Sequence, residues 1–150
     1  MKLFLLAVLM FVLGSVACAR AAIIYISITP QELVDLLGEY GVKGHIEENC
    51  VVVVRDGEKS FYFIDDENES IQFYVGYEMD IPLERINEFN DKYRYSKCVK
   101  RVHDETAVVS IEIDLNTTGG VTKESLFAFF RIIDLSLEKY HELLFPSASR

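Results

Sequence analysis

TAVVSIEIDLNTTGGVTKESLFAFFRIIDLSLEKYHELLF, residues Thr106 to Phe145, is the stretch whose reading decides the fold. From Thr106 to Leu115 the side chains alternate, Val109, Ile111, Ile113 and Leu115 against Ser110, Glu112 and Asp114. A period of two is that of a strand with one buried face. After Gly119-Gly120, Leu126, Phe130, Ile133, Leu137, Tyr140 and Leu144 recur at steps of three and four, which is a helical stripe that needs a sheet to cover it. Phe127, Phe129, Ile132 and Leu135 widen the stripe beyond what a single packing contact uses. Of these, Phe127, Phe129 and Ile132 are the candidate partner-binding residues of the chain.

Working outward, Thr122 is placed to cap this helix, and Glu124 lies in its first turn, where a carboxylate suits the dipole. Gly119 and Gly120 read as turn residues: a glycine pair before a helix can cradle phosphate, but the lysine of a P-loop and the third glycine of a dinucleotide fingerprint are missing. Upstream, Thr29-Pro30-Gln31-Glu32 carries a helix start. Thr29 caps, Pro30 takes the first helical position, Glu32 completes a capping box and Ile28 staples onto Leu33. The helix, with Leu33, Val34, Leu37 and Tyr40 facing inward, ends at Gly41.

Residues 42–79 change to strand chemistry. Cys50 to Val54 is dense in β-branched residues, Arg55-Asp56-Gly57-Glu58 is a hairpin turn, Ser60 to Ile64 returns, and a piece at His45 to Glu47 extends the first strand. Beyond Asp65 to Glu69, the segment from Ile71 to Met79 alternates again. Pro82 opens a second helix reaching about Tyr95, with Leu83, Ile86, Phe89, Asn90 and Tyr93 near one face. Asn87 and Asn90, one turn apart, are candidates to bond a neighbouring strand end. A strand over 96–102 turns at His103-Asp104-Glu105 and pairs with the strand at 106–115. The expected fold is therefore α+β, an antiparallel sheet of about five strands packed with three helices in the order α-βββ-α-ββ-α.

Half of the residues are apolar and 26% are charged, which suits one globular domain with a substantial core. The first 21 residues differ in kind: Met1-Lys2, an apolar run from Leu3 to Leu13, then small residues ending in Ala19-Arg20-Ala21. That pattern is a secretory signal peptide, with the domain occupying 22–150 and a second cleavage motif at Ala17-Cys18-Ala19. The run is too short to cross ~30 Å of hydrocarbon as a helix. Lipidation at Cys18 is the less favoured alternative, because Ser15 stands where a leucine is usual. The expected location is periplasmic or secreted, with no membrane attachment after cleavage.

Cleavage removes Lys2 and Arg20 and no acid, so the formal charge moves from −9 to −11. Such acidity opposes a nucleic-acid role. Lys92, Arg94, Lys97, Lys100 and Arg101 cluster locally and read as a solvated patch near a helix end or a site for an acidic partner. Cleavage also leaves two cysteines, Cys50 and Cys98, compatible with a disulfide or with two separate buried thiols.

Catalytic patterns are wanting. His45, His103 and His141 fall in no metal-ligand spacing, and Ser60, Ser70, Ser110 and Ser125 lack the glycines of a nucleophile elbow. A calcium loop starting at Asp66 fails at Ile71, where the turn glycine belongs, and at Tyr77, where the bidentate glutamate belongs. No cofactor, metal or catalytic residue is assigned.

Taken together, Leu33 to Gly41 (LVDLLGEYG), Leu83 to Tyr95 with Asn87-Glu88-Phe89-Asn90 and the Arg94-Tyr95 pair, and Ile113 to Leu126 with Asp114 and Gly119-Gly120-Val121-Thr122 resemble the YbjN family. The resemblance implies a fold like that of type III secretion chaperones, a non-enzymatic role in sensory transduction regulation, and homodimers. Two features depart from the family pattern: the acidic 65–69 loop stands where exported relatives carry a cysteine pair, and Phe89 stands where tryptophan is common. The expected function is regulatory or chaperone-like binding of a polypeptide, either a second copy or a client. The alternative is a small-ligand binder or small enzyme using a pocket between helix and sheet.

The leader makes a direct prediction. N-terminal sequencing of protein purified from its native cell should begin at Ala22, and an intact Met1 with its apolar run would overturn the export assignment.

Overall fold

The computed structural model describes residues 23–146, so the proposed signal peptide and Cys18 lie outside the described residues. Eight strands and three helices follow in chain order: β1 (Ile24–Tyr25), α1 (Pro30–Tyr40), β2 (Gly44–Glu47), β3 (Cys50–Arg55), β4 (Glu58–Ile64), β5 (Ser70–Glu78), α2 (Leu83–Lys92), β6 (Lys97–His103), β7 (Thr106–Asn116), β8 (Val121–Thr122) and α3 (Lys123–Leu144). The architecture is α+β. One antiparallel sheet has six strands in the order β2-β3-β4-β5-β7-β6, and β1 with β8 forms a separate two-stranded ladder. The expected five strands become six because 44–47 does not extend β3 but folds back on it. Glu47 pairs with Cys50 across a turn in which Glu48 takes a positive φ.

The chain visits the edge before the centre. From β5 it passes through α2 to β6, and β7 then inserts between the two, matching Ser70–Glu78 of β5 along one side and Lys97–His103 along the other. Period-two alternation gives the sheet two faces. Val51, Val53, Tyr62, Phe73, Val75, Val109, Ile111 and Ile113 point to the face that the helices cover, and all are buried.

The helices lie on that face by the expected devices. Thr29 and Glu32 form the capping box, and Gly41 ends α1 at φ +96. Ile28 and Leu33 are both fully buried, as a staple requires. In α1 the inward set is Leu33, Leu36 and Leu37, with Val34 and Tyr40 partly buried. In α3, Leu126, Phe130, Ile133, Tyr140 and Leu144 are buried as the stripe predicts, and Leu137 is partly so. Tyr140 keeps its hydroxyl satisfied by donating to the Val109 carbonyl at 2.6 Å.

The second helix is shorter than expected. It stops at Lys92 because Asn90 binds both backbone groups of Cys98, donating to its carbonyl at 2.9 Å and accepting from its amide at 2.7 Å. That pairing requires the chain to reverse within Tyr93–Ser96. Asn87 is exposed, and Leu83, expected to face inward, is also exposed at the first turn.

Gly119 and Gly120 are turn residues, at φ +85 and +95. A Cβ on Gly120 would lie 2.4 Å from Ile24 Cγ2, so this turn also lets β1 approach. Because Ile24 is an exposed side chain that can move aside, the φ strain dominates: Gly120→Ala and Gly119→Ala should each cost about 1–2 kcal/mol in urea unfolding. Unchanged midpoints would show that the turn does not need its left-handed residues.

Candidate interaction surfaces

Among the described residues, no helix covers the second face of the sheet. Alternation and register place Val52 and Val54 of β3, Phe61 and Phe63 of β4, and Tyr74 of β5 on it. Phe61, Phe63 and Tyr74 form a triangle, with ring centroids 6.1, 6.3 and 6.5 Å apart. Tyr74 leans along its own strand, so that a Cβ on Gly76 would lie 2.6 Å from its hydroxyl; the glycine makes room for the ring. Val54 is 48% and Phe63 43% exposed, Phe61 and Tyr74 are half-buried and Val52 is buried, so the aromatic end of the face meets solvent chiefly through Val54 and Phe63.

The other end of the same face is polar. Arg101 binds Glu112, which also accepts from Ser110 at 3.1 Å, and Gln72 donates to Asp114 at 3.0 Å across the β5–β7 ladder. Burial is the strongest single influence on the Glu112 carboxyl and raises its pKa. The hydrogen bonds from Arg101 and Ser110 and the charges of Arg101 and Lys97 together outweigh it, leaving the group below its ordinary range.

The widened stripe of α3 does not form one exposed face. Phe129 is only 4% exposed and belongs to the core. Phe127 is partly buried and meets Tyr40 of α1 edge-on at 5.4 Å. Only the C-terminal part reaches the surface. Ile132, Leu135, Ser136 and Lys139, at helical spacing, form one wall of a groove of about 420 Å³ whose other wall is Lys92 to Ser96. Phe127 and Phe129 are thus corrected from surface candidates to packing residues, because three helices share one sheet face and α1 leaves no room for a free flank there.

The sequence reading overlooked the aromatic face of the sheet. Its signal was present: Cys50 to Val54 and Phe61 to Ile64 are apolar at successive positions, so both faces of β3 and β4 carry apolar side chains.

Groups with chemical potential are used structurally. Cys50 and Cys98 lie on opposite faces of the sheet, on β3 and β6, with three strands between them, about 19 Å at ~4.8 Å per strand; no bridge can join them. Burial pushes the Cys98 thiol up to about 11, and burial with nearby Glu47 and Glu48 raises Cys50. Asp65 ties its own loop, accepting from the Glu69 amide and the Ser70 hydroxyl, each at 2.7 Å. His141 Nε2 lies 3.2 Å from both the Tyr77 hydroxyl and Glu58. One nitrogen facing both partners cannot relay a proton from one to the other as a triad histidine does with two. His45 and His103 sit beside Glu47 and Asp104 at the surface.

Among the described residues the fold is thus α+β, three helices on one face of a six-stranded antiparallel sheet with no helix on the other. The sequence profile of the YbjN family, described as "Putative bacterial sensory transduction regulator", matches residues 29–145. The chain belongs to that family. It is similar to the crystal structure of YbjN, "a putative transcription regulator from E. coli", with 18% identity, a TM-score of 0.61, and coverage of 76% of this chain and 87% of that one. It is also similar, at 13% identity and a TM-score of 0.43, to an uncharacterised protein from Methanothermobacter thermautotrophicus, covering 76% of this chain and 97% of that one. No curated protein matches the sequence.

The Arg101–Glu112 pair can be tested by pH. A carboxyl whose folded pKa is lowered contributes stability that is present above its unfolded value, about 4.3, and lost as pH falls through the folded one. Because Arg101 is half exposed, the contribution should be about 1 kcal/mol or less. Glu112→Gln should therefore flatten the acid limb of a stability–pH curve, and a limb identical to wild type would show that the pair is neutral.

Proposed function

We propose that the protein is an exported, non-enzymatic regulator that acts by binding a polypeptide, first of all a second copy of itself, through the helix-free face of its sheet. The observation that carries this reading is the aromatic triangle of Phe61, Phe63 and Tyr74, in which Phe63 is exposed and the other two are half-buried, flanked by exposed Val54. Apolar area of this kind on a small domain is stabilised by being covered.

Two further points favour a second copy. The charges on this face nearly balance, Lys59, Lys97 and Arg101 against Glu47, Glu78, Glu112 and Asp114, in a chain whose formal charge is −9. The acidic excess therefore lies elsewhere, and two such faces meet without strong repulsion. Six strands about 4.8 Å apart and about seven residues long give a face of roughly 700 Å². A standard interface takes about 800 Å² from each partner. Sheets stacked in this way place the aromatic ends together about a two-fold axis.

Light scattering at micromolar concentration should give the mass of two copies for wild type and of one for Phe61→Ser/Phe63→Ser, with far-UV circular dichroism unchanged. A wild type that is monomeric at about 100 μM, or a double variant that remains dimeric, would sink this reading.

A further inference from the structure

We infer that the groove between α3 and the Tyr93–Ser96 connection is a binding site for a small amphipathic anion, an aromatic or aliphatic carboxylate. It lies on the helix side of the sheet, away from the open face, and the inference does not rest on self-association.

The groove has the three parts such a ligand needs. Its body is apolar: Leu135 is 55% and Tyr95 74% exposed, with Ile132 and Tyr93 beneath them. At about 420 Å³ it has the volume of a small-molecule site.

Its rim is cationic in an otherwise acidic chain. The neighbouring cations are already engaged, Lys100 with Asp80, Arg101 with Glu112, and Lys139 with Glu138 and Glu142. Lys92 and Arg94 make no ion pair with the described residues, and Lys92 sits 5.4 Å from the Tyr93 ring centroid. Two cations without a carboxylate partner among the described residues, beside an apolar floor, are complementary to one carboxylate with an apolar body.

The third part is Ser96. It is 7% exposed at the inner wall, and its hydroxyl is the one buried side-chain polar group among the described residues without a hydrogen-bond partner. Buried hydroxyls are nearly always paired, so this one points to an acceptor that the chain itself does not supply. A carboxylate seated against this wall, with its charge met by Arg94, would supply such an acceptor. Asn90, by fixing Cys98 to α2, holds this connection in place.

The test uses 2-naphthoate and its uncharged counterpart 2-naphthamide as probes, followed by NMR on the full mature chain. The expected result is saturable binding of naphthoate with shifts at Tyr93, Tyr95 and Leu135, and at least about tenfold weaker binding of naphthamide. Lys92→Glu/Arg94→Glu, at two exposed positions, should weaken naphthoate by about tenfold or more, and Ser96→Ala by several-fold. Equal affinity for the two probes, an unaffected charge-reversal variant, or no saturation below about 5 mM would overturn the inference. Groove resonances that instead move with protein concentration, and that naphthoate does not reverse, would assign the groove to a second copy and overturn it equally. Dimer mass is read separately, since Phe61→Ser/Phe63→Ser lies on the opposite face of the sheet.

Discussion

Pairing of β7 along both of its edges is the constraint on which the rest of this structure depends. Eleven residues, Thr106–Asn116, are held by β5 on one side and by β6 on the other. Without the β5–β7 pairing, β5 and β7 would be open edges, and the sheet would divide into a four-stranded meander and a two-stranded hairpin. Because β7 lies inside the sheet, the chain leaving it at Asn116 turns through Gly119-Gly120 and returns over the buried face. The position of α3 is a consequence of where β7 pairs.

Crowding on that buried face explains how the surplus of apolar side chains on α3 is distributed. Three helices share one side of six strands. Phe127 meets Tyr40 of α1, Phe129 is enclosed, and only Ile132 and Leu135, beyond the reach of α1, are left to form a groove with the segment after α2. The other side of the sheet receives none of this cover. Its aromatic end is open and its polar end is stitched by Arg101, Ser110 and Glu112, so the two sides differ in chemistry as well as in cover.

The same geometry quiets the reactive groups. A sheet places neighbouring thiols on one face or the other according to register, and here Cys50 and Cys98 fall on opposite faces and distant strands. Burial raises both thiol pKa values, which favours the thiol over the thiolate at neutral pH. The acidic loop is likewise occupied with itself through Asp65. Among the described residues, the sheet face without a helix and the groove beside Lys92 and Arg94 remain accessible.

Local chemistry was legible from the sequence alone. The capping box at Thr29 and Glu32, the stop at Gly41, the Asp56-Gly57 hairpin, the glycine turn before α3 and the buried stripe of that helix each depend on residues within about one turn of one another, and such signals survive any tertiary context. The class α+β followed from them; the family followed from a resemblance carried by Leu33 to Gly41, Leu83 to Tyr95 and Ile113 to Leu126. The separate strand β2 did not, because a two-residue turn at Glu48-Asn49 carries no glycine to mark it. Nor did the end of α2, which is set by a bond from Asn90 to a residue eight positions on. Above all, which apolar side chains meet solvent was decided by tertiary structure alone: Phe129 and Phe63 are the same residue in similarly apolar surroundings, and only the placement of three helices on one side of the sheet buries the first and exposes the second.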